Sequence, residues 1–167
     1  GEYQVVVTYL HEEESVLTEP ECHAEKFPST IAKLKAGEKT NIVLLGDSIS
    51  AGWSASGYQY VNIPPYCPVY LDLVAEYLAE EYGNTHIDAA NFSVGGMMSS
   101  WGAEKEQIDK VIKEDPDLFI IAFGMNDGIS GGVSPEVFKA NTASIIDQVR
   151  AACPDVEIIL VSTMMPN

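Results

Sequence analysis

The sequence predicts a doubly wound α/β sandwich, a flavodoxin-like parallel sheet covered by helices on both faces. Three observations carry that expectation. Short, continuously apolar runs such as Ile42-Val43-Leu44-Leu45 and Leu118-Phe119-Ile120-Ile121-Ala122-Phe123 recur along the chain, which suits strands buried on both sides. The segments between them repeat their apolar residues at helical spacing. Strand and helix then alternate in chain order, the pattern of βαβ units, whose right-handed crossovers put each strand-to-helix loop at the carboxyl edge of the sheet.

Residues 1–40 read as an irregular leader. Val5-Val6-Val7-Thr8-Tyr9-Leu10 has strand character, followed by Glu12-Glu13-Glu14 and then Pro20 and Pro28. A lone strand is not stable in isolation. It either pairs with an edge of the main sheet or ends an upstream β domain. The regular pattern, read as residues 41–167, begins with the strand Ile42–Leu45. Pro68 is expected to open a helix that runs to Gly83, with Tyr70, Leu73, Val74, Tyr77 and Leu78 inward. His86 to Ser93 reads as the second strand. Trp101 to Lys113 reads as a helix burying Ile108, Val111 and Ile112. Asp115-Pro116-Asp117 turns the chain into the third strand, Leu118–Phe123. Ser134 caps a helix that Pro135 starts, with Phe138, Ile145 and Val149 inward. Val156 to Val161 is the fourth strand.

The 167 residues favour one domain with one core. The formal net charge of −16 repels phosphate backbones, so nucleic acid is a poor partner. No apolar run approaches the roughly 20 residues needed to span a bilayer, and no membrane partner is expected. The three cysteines, Cys22, Cys67 and Cys153, form no Cys-x-x-Cys pair, which argues against a structural zinc site. Their odd number leans weakly toward a reducing, cytoplasmic setting, although secretion stays open. Cys153, near a predicted helix end, is expected in the core.

Three polar segments follow three of the strands directly and so meet at one edge. They are Gly46-Asp47-Ser48-Ile49-Ser50, Asn91-Phe92-Ser93-Val94-Gly95-Gly96 and Gly124-Met125-Asn126-Asp127. Each alone is an ordinary helix cap or turn. Together they offer what acyl transfer needs, a nucleophile beside donors aimed at a developing oxyanion. Ser48 is the candidate nucleophile. The Gly96 backbone amide and the Asn126 side-chain amide are candidate donors. Glycine lets substrate approach the backbone, and an Asn NH2 donates without bringing charge. Asp47 reads as an anchor of its loop rather than a base, and Asp127 similarly beside Asn126.

The ordered set resembles the first three signature blocks of the SGNH, or GDSL, hydrolase family, over Asn41 to Asn167. The resemblance implies the SGNH hydrolase fold and a serine esterase. It puts the nucleophile at Ser48 and the oxyanion hole at the Ser48 amide, Gly96 (with Gly95 adjacent) and Asn126. No cofactor and no metal are implied. The family draws its base from an Asp-x-x-His block near the end of the domain, and none is present: Thr8 stands three before His11, Pro20 before His23, Gly83 before His86. His86 also starts a strand, at the wrong edge. The expectation is that the polypeptide continues past Asn167 with a further strand and that block. That segment, continuous or as a separate chain, is then a partner, and the 167 residues alone are expected to be inactive.

Trp53, Tyr58, Tyr60 and Tyr66 crowd the loop after Ser48, and Trp101 follows the second block. Aromatic faces with polar tips suit sugar rings, which makes Trp53, Tyr58 and Trp101 candidate substrate contacts. Members of the family that deacetylate carbohydrates share this look, including Gly-Met-Asn-Asp-Gly at Gly124 to Gly128. The expected substrate is a small or carbohydrate ester, an acetylated sugar above all. The rival reading is a carbohydrate-binding module of this fold without catalysis. A nucleotide binder would need Gly-x-Gly-x-x-Gly or Gly-x-x-x-x-Gly-Lys, and neither occurs.

Overall fold

The structure, a computed structural model, describes residues 23–129 and 132–163. Its centre is a four-stranded parallel sheet in the order β2-β1-β3-β4. The strands are β1 (Thr40–Gly46), β2 (Ile87–Asn91), β3 (Leu118–Ala122) and β4 (Glu157–Leu160). Register is set by pairs such as Thr40 with Ile87 and Ile42 with Leu118. The helices are α1 (Pro28–Ala36), α2 (Ser48–Ala51), α3 (Tyr70–Tyr82), α4 (Ser99–Gly102), α5 (Lys105–Lys113), α6 (Met125–Ile129) and α7 (Pro135–Ala152). The strand at residues 5–10 expected from the sequence, and His11, lie outside the described residues.

Alternation along β1 and β3 divides the core in two. Val43, Leu45, Phe119 and Ile121 pack under Ile108 and Val111 of α5 and Ile145 and Val149 of α7. Ile42, Leu44, Leu118 and Ile120 face the other way, toward Leu71 of α3 and Phe27 before α1. All four apolar residues of β1 from Ile42 to Leu45 are fully buried. Helices on both faces are what a continuously apolar parallel strand requires.

Cys153 is buried at the end of α7, as expected. Ser134 caps α7 through its side chain, accepting from the Val137 amide, and Pro135 starts the helix. Other expectations need correction. The 1–40 segment is not irregular throughout, because α1 occupies Pro28–Ala36 and buries Thr30 and Leu34. Pro28 at its first turn and left-handed Gly37 at its end are ordinary helix punctuation. α3 starts at Tyr70 rather than Pro68, and Val69 is extended. Of its expected inward stripe, Tyr70 and Leu78 do pack against the core and Val74 is half-buried. Leu71 is buried, whereas Leu73 and Tyr77 are 47% and 64% exposed. α3 lies over the edge strand β2, itself half open, so only a narrow stripe is covered. The single helix expected over 101–113 is two. Trp101 on α4 packs edge-on against Phe123 beyond the end of β3, while α5 lies over the sheet. One straight axis does not serve both contacts, and extended Glu104 restarts the helix.

The amino edge is tied by charge. The Glu157 carboxylate accepts from the Ser29 and Thr30 amides, capping α1 from β4. Asp117 accepts from the Asn41 amide and pairs with the Lys33 ammonium. These contacts satisfy helix amides that have no partner within the helix and put negative charge at its positive end. Glu157→Ala should therefore destabilise the fold by about 0.5–2 kcal/mol, the usual cost of a lost cap. Urea denaturation should show a lower midpoint with unchanged slope; an unchanged midpoint would mean the contact contributes nothing.

Candidate active site

The direction of the chain reverses at the centre of the sheet. From β1 it crosses through α3, on one face, to β2. From β3 it crosses through α7, on the other face, to β4. The loops leaving β1 and β3 thus part company above adjacent strands, opening the crevice in which doubly wound sheets bind ligands. Ser48 stands after β1 and Asn126 after β3.

The first block is built by close approach. Gly46 ends β1 beside Ala122, and a Cβ there would stand 2.5 Å from the Ala122 carbonyl oxygen. The Asp47 amide donates to that same carbonyl. The Asp47 side chain then caps α2, accepting from the Ile49 amide at 3.0 Å. This makes half-buried Ser48 the first residue of a helix, where a backbone amide has no partner within the helix. Burial pushes the Asp47 carboxyl up, the Ile49 amide opposes the rise, and the Asp127 carboxylate adds to it. The first and third blocks are therefore near enough to interact electrostatically.

The second block is bonded to the first. The Val94 amide donates to the Gly46 carbonyl, and the Asn91 side chain donates to the Ser50 carbonyl at 2.8 Å. Gly96 is exposed at φ +79°, left-handed backbone that a Cβ disfavours. Gly95 is covered: a Cβ on it would stand 2.9 Å from the Trp53 ring. Trp53, 58% exposed, thus extends from the first block across the second.

The third block is bonded to the second. The Asn126 side-chain NH2 donates to the Met97 carbonyl at 2.9 Å, which uses one of its two hydrogens. Asp127 is buried and accepts from both the amide and the hydroxyl of Ser99, and the Asn141 side chain donates to the same hydroxyl. α6, which bears Asn126, is thereby fastened to α4 and α7.

Of the expected aromatic contacts, Trp53 reaches the second block, and Tyr58 lines a cleft of 490 Å³ together with Ala51, Tyr66 and Asn91. Trp101 is different. It is half-buried against Phe123 and the core, so packing accounts for its ring. A second, apolar groove of 460 Å³ runs past the third block between Phe123, Phe138 and Leu160. Sequence reasoning missed both the Asp127–Ser99–Asn141 network and this groove, because they join residues distant in the chain without a local pattern.

No histidine among the described residues stands at this edge. The His86 carbonyl accepts from the Thr40 amide at the start of β1, a strand length away, roughly 20 Å at about 3.3 Å per residue. His23 precedes α1, whose first amides bond Glu157 at the amino edge. No metal-binding group of His, Cys, Asp and Glu occurs among the described residues, and no helix among them is long and apolar enough to cross a membrane.

Comparison with known proteins bears on the family and the fold. The model described as GDSL-like Lipase/Acylhydrolase family matches residues 44–167. The chain is similar to TesA at 26% identity and TM-score 0.60, covering 76% of this chain and 62% of that one. It is similar at 28% identity and TM-score 0.62 to a two-domain esterase active on acetylated mannans, co-crystallised with mannopentaose, covering 81% of this chain and 34% of that one. EstA from Pseudoalteromonas sp., 21% identical with TM-score 0.56 over 77% of this chain and 62% of that one, shares the fold. The chain spans less than two thirds of the length of each. No curated protein matches it.

The raised Asp47 pKa has a definite sign. The folded chain holds this proton more tightly than the unfolded one, so the stabilisation is complete below the ordinary carboxylate pKa of about 4. It is lost as pH rises through the folded value. Asp47→Asn keeps an acceptor for the Ile49 amide. It should be at least as stable as the parent near pH 7 and relatively less stable near pH 3. Thermal melts at the two pH values test this, and the opposite ordering would contradict the sign.

Proposed function

Since the chain belongs to the GDSL-like lipase/acylhydrolase family, we propose that it is a serine esterase for short acyl esters, acetylated sugars above all. The observation that carries the reading is the arrangement of donors after β1, β2 and β3. The Ser48 and Gly96 amides have no hydrogen-bond partner among the described residues, and Asn126 has one side-chain hydrogen free. Free, fixed donors beside a serine are what an oxyanion requires. Support for the sugar comes from the exposed aromatic rings of the 52–69 loop and from the acetylated-mannan esterase to which the chain is similar.

In this mechanism the Ser48 Oγ attacks the acyl carbonyl carbon and gives its proton to a histidine outside the described residues. The carbonyl oxygen becomes an oxyanion, held by the Ser48 and Gly96 amides and the Asn126 NH2. The intermediate collapses, the C–O bond to the alcohol breaks, and the histidine returns the proton to the leaving oxygen. Water, deprotonated by the same histidine, then attacks the acyl-serine. The carboxylic acid leaves and Ser48 recovers its proton. Gly96, exposed at the left-handed turn of the second block, is taken as the donor, with Gly95 adjacent.

Asn126→Ala should lower kcat for p-nitrophenyl acetate by roughly 100- to 1000-fold. KM should change far less, because the donor acts mainly on the transition state. Ser48→Ala provides the blank. An unchanged kcat would remove Asn126 from the mechanism.

A further inference from the structure

The 490 Å³ cleft beside α2 is a separate feature from the donor set. One wall is the 52–69 loop, another the first turn of α3, and the third the end of β2. The loop wall is cross-bonded within itself. Ser56 is buried, its hydroxyl accepts from the Cys67 amide, and its carbonyl accepts from the Ile63 amide. The Gly57 amide bonds the Cys67 carbonyl. Tyr66 is presented from a left-handed backbone at φ +60° and remains 56% exposed.

Its chemistry is mixed in a particular way. Tyr58 and Tyr66 contribute flat apolar area with hydroxyl tips. Gln59 contributes an amide, and Asp72 a carboxylate with no ion pair or hydrogen bond among the described residues. At the β2 wall the cleft is closed by Asn91 and Ser93. A carboxylate, an amide and two phenol hydroxyls among aromatic faces match a polyol ring, whose hydroxyls both donate and accept. A cationic ligand would satisfy Asp72 but leave the amide and hydroxyl donors unanswered. An aliphatic chain would leave all of them unanswered.

We propose that this cleft is a pyranose subsite, holding a neutral sugar ring of the alcohol portion of the substrate beside Ser48. The inference rests on the esterase reading only for the ring's role as leaving group; the binding stands independently. Ala51 ties the cleft to the nucleophile's helix, and Asn91 joins its floor to the Ser50 carbonyl. Asp72 accepts from a pair of adjacent ring hydroxyls, while Tyr66 covers a ring face.

The test is binding rather than turnover. The protein carrying Ser48→Ala is titrated with β-1,4-linked gluco-, manno- and xylo-oligosaccharides, free and partly acetylated, by calorimetry. At least one should bind. Adding Asp72→Ala should weaken that binding by tenfold or more. So should Tyr66→Asn, chosen because Asn tolerates the left-handed backbone. Tyr77→Ala, on the exposed side of the same helix, should leave it unchanged. Absence of binding by the Ser48→Ala protein, or equal binding with and without Asp72, would overturn the subsite. Because the protein used cannot turn over, failure of the esterase reading, seen as no serine-dependent hydrolysis of p-nitrophenyl acetate by the Ser48-bearing protein, leaves this result standing on its own.

Discussion

Parallel pairing of β1 with β3, buried on both faces, is the constraint from which the rest follows. Ile42 to Leu45 and Leu118 to Ile121 leave no exposed face in the sheet centre, so helices must cover both sides. Crossovers of one hand then deliver every outgoing loop to the carboxyl edge. Chemistry can gather at that edge and nowhere else along these strands. The strands that pair most intimately are also those whose helices leave to opposite faces, and the opening between their loops is a consequence of topology before any side chain is considered.

The loops at this edge are short of apolar material, so polar contacts fix them. The second block reaches the first through Val94 and Asn91, and the third reaches the second through Asn126 and Asp127. Asp127 is the most demanding of these. A buried carboxylate is tolerable only when its oxygens are occupied, and Ser99 occupies them with both amide and hydroxyl. Rigidity here has chemical value in the proposed mechanism, because oxyanion donors act by being oriented before charge develops.

Much of this was legible in the sequence, for identifiable reasons. A strand buried on both faces announces itself as an uninterrupted apolar run, so β1 and β3 were plain. The polar segments after the strands were plain because strand order fixes loop position. On α3 the spacing picked out Tyr70 and Leu78 correctly, but only the seat on a half-exposed edge strand selects Leu71 over Leu73 and Tyr77. α1 was missed because its amino end is capped by Glu157, well over a hundred residues away, rather than by a residue next to it. Trp101 looked like its aromatic companions until Phe123 supplied a partner from beyond the end of β3.

The acidity of the chain bears on how such a site can work. Asp47 and Asp127 both adjoin the residues proposed to hold an oxyanion, and like charges nearby would oppose it. Their geometry limits the conflict. Asp47 spends its carboxylate on the Ile49 amide and Asp127 on Ser99, so the donors they occupy are not those left free toward the crevice. With cations this scarce, nine lysines and arginines against twenty-five acids, stabilisation of developing negative charge falls to neutral dipoles. Backbone amides and an Asn side chain are the groups that supply it without being drawn away into ion pairs with the surrounding carboxylates.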